Sequence, residues 1–168
     1  SEKSVDVDNL TAIGGKRYGG DFRFMSAEKI NSLATISSVD HYSSRLVSQI
    51  YEPLLKLDVH SMGISPAVAE SYTVSDDATI YTFKIRKGIF FHQDDALGKK
   101  RHELDAEDVK FSLEMACSNL ALNQISYLLV KRIKGAQEFF DNSAESLPKS
   151  GISGIKIING NSIEITLV

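Results

Sequence analysis

Residues 71–85 read SYTVSDDATIYTFKI, a pattern that predicts two β-strands joined by a tight turn. The segments 71–74 and 79–85 are rich in β-branched and aromatic residues, which favour strands. Between them, residues 75–78 are Ser, Asp, Asp and Ala, and short polar side chains of this kind are typical of turns. Because every second residue from Tyr81 onward is apolar, one face of the second strand is expected to lie against a core.

The segments on the carboxyl side of this hairpin combine helix and strand patterns. Asp105 stands where an N-cap is expected, and Asp108 follows it at the spacing of a capping box, so a helix is predicted to begin there. Residues 155–167 alternate around the turn Asn159-Gly160, which predicts a second hairpin. Strands and helices thus occur without regular βαβ alternation, and the sequence predicts an α+β fold, a mixed sheet with packed helices.

The amino-terminal part of the chain has a weaker pattern. Residues 1–20 are predicted to form a flexible leader, because they begin polar and charged without a period and end in two glycine pairs. Residues 21–25 alternate and predict a first strand, and residues 31–40 are small and polar, which favours a loop. A helix capped by Ser43 or Ser44 is expected to follow this loop.

Composition limits the classes of function. Of the 168 residues, 42% are hydrophobic and 24% charged, with a net charge of -3, which argues for a globular protein and against a nucleic-acid-binding one. No apolar run approaches the ~20 residues of a membrane span, and the run from Tyr127 to Val130 stops at Lys131 and Arg132. Cys117 is the only cysteine, which excludes an intrachain disulfide and a thiolate metal cage, and its apolar neighbours predict burial.

Several motifs in order resemble one protein family. Residues 65–77 (SPAVAESYTVSDD), 81–92 (YTFKIRKGIFFH), 104–113 (LDAEDVKFSL) and 50–54 (IYEPL) are similar to motifs of the family-5 solute-binding proteins, the dipeptide and oligopeptide receptors of bacterial ABC importers. The resemblance extends over residues 22–168. The chain departs from the family pattern in the turn, where Ala stands in place of the usual Gly, and in a longer polar insertion before the third motif.

The resemblance implies a fold of the periplasmic-binding-protein type II kind, divided between two lobes. Residues 1–20 are then the leader, and residues 21–60 supply the first strand, a cleft loop and a helix of the large lobe. Residues 61–168 form the accessory α+β domain packed against that lobe. The remainder of the large lobe and the second lobe are expected to be absent from this chain.

The resemblance also implies a function. The chain is expected to be the N-terminal part of a receptor that captures short peptides outside the cytoplasmic membrane and delivers them to a membrane permease, without enzymatic activity and without a cofactor. The protein is expected in the periplasm or at the outer face of the membrane, where the leader could serve as a tether to a lipid anchor. Receptors of the same fold for nickel, haem or a sugar, and a solute-sensing domain of a regulatory protein, are the alternatives.

The predicted ligand contacts are Val39, Asp40, His41 and Tyr42, which lie between the first strand and the following helix. The family resemblance implies that this loop lines the cleft, where backbone groups pair with an extended peptide, Tyr42 stacks and Asp40 meets a ligand amine. The alternative is a surface loop whose Asp and Ser cap the helix. The unpaired edge of the first strand also raises the prospect that this chain self-associates.

Other polar clusters do not have the spacing of a known site. His92, Asp94, Asp95, His102 and Glu103 include metal-binding residue types, but no ligand motif relates them, so a solvated loop is predicted and no metal. The adjacent aspartates of the 75–78 turn point apart in extended backbone and are expected to serve the turn rather than catalysis. The sequence contains no Gly-x-Ser-x-Gly motif for a serine nucleophile.

Overall fold

A computed structural model describes residues 23–92 and 101–168. Within these ranges the chain forms three α-helices, one 3₁₀ turn and six strands. In chain order they are α1 (His41–Ile50), β1 (Leu55–Leu57), β2 (Ile64–Pro66), β3 (Ala69–Val74), β4 (Ile80–Ile85), α2 (Ala106–Ala116), the 3₁₀ turn (Ser126–Leu128), α3 (Ala136–Asp141), β5 (Ile155–Asn159) and β6 (Ser162–Thr166). None of the described helices has the length and apolar character needed to cross a membrane.

The two predicted hairpins join into one four-stranded antiparallel sheet with the order β3-β4-β6-β5. Strand β4 pairs with β6, which places Phe83 opposite Ile163, and β6 in turn places Ile163 opposite Ile157. Strands β1 and β2 form a separate two-stranded sheet. The α+β prediction is confirmed, because helices and an antiparallel sheet share one core without parallel βαβ units.

Helix α2 begins with the predicted capping box. The Asp105 carboxylate accepts hydrogen bonds from the Glu107 and Asp108 N–H groups, and the Asp108 carboxylate accepts one from the Asp105 N–H at 3.0 Å. These bonds satisfy N–H groups that have no partner inside the helix. The helix then contacts β5 and β6 and buries its residues Ala106, Val109 and Ala116.

The hydrophobic core lies between this sheet and the helices. Its largest fully buried apolar side chains are Ile85 and Ile163, on neighbouring strands of the sheet. Cys117 is also fully buried, as predicted, and burial followed by the negative charge of Glu114 raises the pKa of its thiol to about 11. The thiol is therefore protonated at neutral pH and packs as a small apolar side chain.

The amino-terminal prediction is wrong in two respects. Residues 23–25 are not part of a strand, and the rest of the predicted strand, like the leader 1–20, lies outside the described residues. The helix begins at His41 with Asp40 as its N-cap, where the sequence favoured Ser43 or Ser44. Alternation does not by itself specify a strand, because a strand forms only where its backbone pairs with a neighbouring strand.

Candidate functional site

The predicted ligand-contact segment lies at the start of helix α1. Asp40 has extended backbone (φ -75°, ψ 154°), and its Oδ1 accepts a hydrogen bond from the Ser43 N–H at 2.8 Å. The other carboxylate oxygen accepts a 3.4 Å hydrogen bond from the Asn31 side-chain amide. Both oxygens of Asp40 are thus used within the protein, as the capping alternative requires.

The electrostatics of Asp40 agree with this geometry. The pKa of the Asp40 carboxyl is lowered from its ordinary value, chiefly because the carboxylate accepts the hydrogen bond from the Ser43 N–H. The Asp40 carboxyl is therefore ionised at neutral pH at the positive end of the α1 dipole. A ligand amine at this position has to share the carboxylate with the helix.

Hydrogen bonds of buried serines, which the sequence analysis did not identify, hold the segment in place. Ser43 is fully buried, and its Oγ accepts hydrogen bonds from the Asn31 N–H at 3.0 Å and the Ser32 N–H at 3.4 Å. Ser38 is also buried, and its Oγ donates to the carbonyl oxygens of Ser32 and Ala34. These hydroxyls fold residues 31–38 into a compact turn against α1, although their sequence pattern alone is that of an ordinary polar loop.

The segment presents backbone groups at Val39 and aromatic rings at His41 and Tyr42. Val39 is 54% exposed, and its backbone N–H and carbonyl have no hydrogen-bond partner among residues 23–92 and 101–168. The rings of His41 and Tyr42 meet edge to face, with centroids 5.6 Å apart and planes inclined at 77°. Both aromatic residues belong to the first turn of α1, so the predicted loop ends at Asp40.

These groups could bind an extended ligand in one particular way. The N–H and carbonyl of Val39, which have no hydrogen-bond partner among the described residues, can pair with the main chain of an added strand. The exposed His41 ring, braced by Tyr42, offers an aromatic edge beside them. An arrangement of exposed backbone groups beside aromatic rings is suited to binding an extended ligand.

The polar cluster around the 93–103 insertion is structural in its described part. His102 Nε2 lies 2.9 Å from Asp108 Oδ2, and Glu103 accepts a hydrogen bond from the Gly88 N–H at 2.7 Å. Asp94 and Asp95 lie outside the described residues. Within the rest, no three His, Cys, Asp or Glu side chains form a group that could hold a metal ion.

Asp77, the second of the adjacent aspartates in the β3–β4 turn, also has a structural role. Asp77 Oδ1 accepts hydrogen bonds from the Ser75 hydroxyl and from the N–H and hydroxyl of Thr79. These bonds, the one from Ser75 foremost, lower the pKa of the Asp77 carboxyl. Ala78 has a positive φ of 57°, a backbone conformation that glycine adopts at lower cost.

The chain is similar to curated bacterial binding proteins. Over 120 residues it is 32% identical to heme-binding protein A of Haemophilus influenzae, which covers 71% of this chain and 20% of that protein. Over 118 residues it is 31% identical to the dipeptide-binding protein of Escherichia coli, covering 70% of this chain and 20% of that protein. The chain thus spans about a fifth of the length of these relatives.

A solved structure has the same fold. The periplasmic binding protein DppA of Helicobacter pylori, associated with an ABC transporter and in complex with the peptide STSA, superposes with a TM-score of 0.61 at 25% identity. The superposition covers 82% of this chain and 25% of that one. The predicted fold of the periplasmic-binding-protein type II kind is confirmed.

The family match covers the part of the chain that contains the core. Residues 63–168, more than half of the chain, match the model of the bacterial extracellular solute-binding proteins, family 5 Middle. This range includes both hairpins of the four-stranded sheet and helix α2. The family is one of solute-binding proteins and not of enzymes. The chain therefore belongs to the bacterial extracellular solute-binding proteins of family 5.

Proposed function

We propose that this chain forms one part of a receptor that captures short peptides for an ABC importer. The observation that carries the proposal is the 31% identity with a dipeptide-binding protein over 118 residues. The peptide complex of the structural neighbour supports the same ligand class. The receptor would pass its ligand to a membrane permease, and the energy for transport would come from that partner rather than from this protein.

The proposed ligand contacts are Val39, Asp40, His41 and Tyr42. Val39 is exposed, and its backbone groups have no partner in residues 23–92 and 101–168. His41 and Tyr42 form an aromatic pair beside it. We infer that the main chain of a peptide pairs with Val39 while one of its side chains contacts the aromatic pair. Asp40 holds these groups in place through the N-cap and contributes negative charge toward a ligand amine.

The proposed division of the chain follows the same reasoning. Residues 21–60 supply the contact segment and part of the large lobe, and residues 61–168 form the accessory domain. Because a solute must be surrounded to bury most of its surface, a second wall from outside this chain would complete the pocket. The proposed location is the periplasm or the outer face of the cytoplasmic membrane, with a lipid anchor as one arrangement.

Calorimetric titration with di- to pentapeptides tests the contact segment. His41→Ala and Tyr42→Ala are expected to weaken peptide binding about tenfold, because each removes an aromatic contact with the ligand. The melting temperature is expected to change little, since His41 is exposed and Tyr42 only half-buried. The matched control is Tyr51→Ala, an exposed aromatic at the other end of α1, for which affinity should be unchanged.

The outcomes of this titration are distinct. Intact affinity with a lower melting temperature in the Tyr42→Ala variant would show that the segment is structural. The second outcome concerns a polypeptide without substitutions that is long enough to supply both walls of the pocket. If it bound no di- to pentapeptide, the proposed ligand class would be wrong.

Haem is the second candidate ligand. The observation that favours it is the 32% identity with heme-binding protein A. Absorption titration with haem distinguishes the two candidates, because a bound haem shifts its main visible band whereas a peptide has none. Haem binding that peptides do not displace would assign the receptor to haem.

A further inference from the structure

The segment from the end of helix α2 to the start of α3 has an unusual charge distribution. Residues 115–137 contain no Asp or Glu, although the chain as a whole has a net charge of -3. The same segment carries Lys131, Arg132 and Lys134. A stretch of more than twenty residues whose charged side chains are all positive differs from the rest of this acidic protein.

Exposed apolar side chains stand beside these cations. Tyr127 is 70% exposed and Leu128 is 44% exposed, both in the 3₁₀ turn. The Arg132 guanidinium donates hydrogen bonds to the carbonyl oxygens of Leu128 and Tyr127, which holds its charge against this turn. Tyr127, Leu128, Lys131 and Arg132 therefore form one surface, which we call the basic–aromatic patch.

The cations of the patch have no acidic partner in the described part of the chain. Within residues 23–92 and 101–168, no carboxylate forms an ion pair with Lys131 or Arg132. Elsewhere in the same ranges, Lys84 and Lys110 each lie within 4.0 Å of a glutamate. The positive charge of the patch is thus available to an anionic partner.

An apolar pocket continues from the patch. It has a volume of about 330 Å³, and Lys131 and Arg132 are part of its wall. The remaining lining is aliphatic: Leu113, Leu129, Ile133, Ile165, Leu167 and Val168. Because the same two cations border both features, positive charge, an exposed tyrosine and open apolar surface are contiguous.

We propose that the basic–aromatic patch docks the protein on an anionic lipid bilayer. Exposed Tyr and Leu beside Lys and Arg are the combination found at membrane interfaces, where rings enter the headgroup layer and cations meet lipid phosphates. Charge complementarity favours this partner, because the patch lacks the acidic residues that a mixed-charge protein interface contains. Tyr127 and Leu128 would enter the interface, and Lys131 and Arg132 would pair with phosphates.

A tryptophan reporter tests this directly. The chain has no tryptophan, so Tyr127→Trp introduces a single one at the centre of the patch. Its fluorescence is expected to shift to the blue with vesicles of equal parts phosphatidylglycerol and phosphatidylcholine, and the shift should fade as salt is added. Tyr51→Trp is the matched control, since Tyr51 is 51% exposed but lies on α1. Its fluorescence should not change.

Charge variants test whether Lys131 contributes to the binding of vesicles. Vesicle sedimentation of the Lys131→Gln variant should give about fivefold weaker binding, the effect of one basic residue near an anionic surface. The control Lys87→Gln removes an exposed lysine far along the chain from the patch and should bind as the unsubstituted protein does. Equal loss in the two variants would mean attraction by overall charge and would overturn the proposal.

Two further results would also overturn it. Equal binding to vesicles of phosphatidylcholine alone would remove the role of the cations. A blue shift that grows with protein concentration in the absence of lipid would show that the patch binds a second copy of this chain instead. The vesicle measurement needs neither solute nor permease, so its failure would leave the proposed peptide binding untouched.

Discussion

The two parts of the chain, residues 23–66 and residues 67–168, differ in how far their apolar side chains are buried. Of the buried apolar residues in the described chain, only Ile36 lies in the first part, and all the others lie in the second. The first part instead exposes ten large apolar side chains in 44 described residues: Phe24, Met25, Leu33, Val39, Ile50, Tyr51, Leu57, Val59, Met62 and Ile64. The described residues of the second part expose the same number over more than twice the length.

Different interactions hold the two parts in place. Residues 67–168 contain the four-stranded sheet with the core against it, so hydrophobic burial stabilises them. Residues 23–66 are organised mainly by hydrogen bonds, such as those of Ser43 and the one from the Gln124 N–H to the Ile36 carbonyl at 2.8 Å. A part without a core of its own has low local stability and offers its apolar surface to other partners.

The comparison bears on function. The family match begins at residue 63, close to where the core begins, whereas the proposed ligand contacts lie in the first part. Binding surfaces are often placed on segments of low local stability that a rigid unit supports. The exposed apolar surface of residues 23–66 is also the reason to expect that this chain self-associates in isolation.

The largest expected effect comes from truncating isoleucines in the two parts. Ile163→Ala should lower the free energy of unfolding by about 2–5 kcal/mol, because Ile163 is fully buried and its loss leaves a cavity. Ile64→Ala should change it by less than about 0.5 kcal/mol, since Ile64 is 63% exposed on the β1–β2 sheet. Denaturant unfolding measures both, and similar losses would abolish the distinction between the two parts.

The two aspartate N-caps give the next effect. Asp105→Ala should lower the free energy of unfolding by about 1 kcal/mol, because α2 packs on the sheet and loses its capping box. Asp40→Ala should have a smaller effect on global unfolding and instead speed amide hydrogen exchange in α1.

The Asp40 cap also has a pH dependence. Since the folded-state pKa of Asp40 is lowered, its contribution to stability is complete above the ordinary carboxyl pKa and is lost as the pH falls through the lower, folded value. The protection factors of the α1 amides, which correct for the intrinsic slowing of exchange at lower pH, should therefore decrease at acid pH, and the Asp40→Ala variant should not show this decrease. An equal acid response in that variant would mean that another group is responsible.

The smallest expected effect concerns two residues with positive φ. Ala78→Gly should raise the free energy of unfolding by roughly 0.5–1 kcal/mol, because Ala78 has φ 57° in the β3–β4 turn. Met62 has a similar positive φ of 55° next to strand β2. Met62→Gly should leave the free energy of unfolding nearly unchanged, because little of the global stability comes from this part. Thermal unfolding should therefore show an increase for Ala78→Gly alone, and an equal increase for Met62→Gly would show that the two parts unfold together.

The candidate site illustrates the limits of prediction from sequence. The sequence predicts a loop from Val39 to Tyr42 before a helix, and the structure confirms the helix but places His41 and Tyr42 inside its first turn. The choice of the cap was wrong, since Asp40, Ser43 and Ser44 all fit the local rule. Ser43 is excluded as the cap because its hydroxyl, buried under Asn31 and Ser32, accepts their N–H groups.

Both hairpins, the capping box of α2 and the family were determined by the sequence alone. Turn residues, strand alternation and the Asp105–Asp108 spacing act over a few residues, so the pattern already contains the interactions that matter. The order β3-β4-β6-β5, by contrast, depends on β4 meeting β6 across nearly eighty residues. The tertiary structure alone decided this pairing, and with it which apolar residues became core and which stayed exposed, because burial depends on what a side chain meets far along the chain.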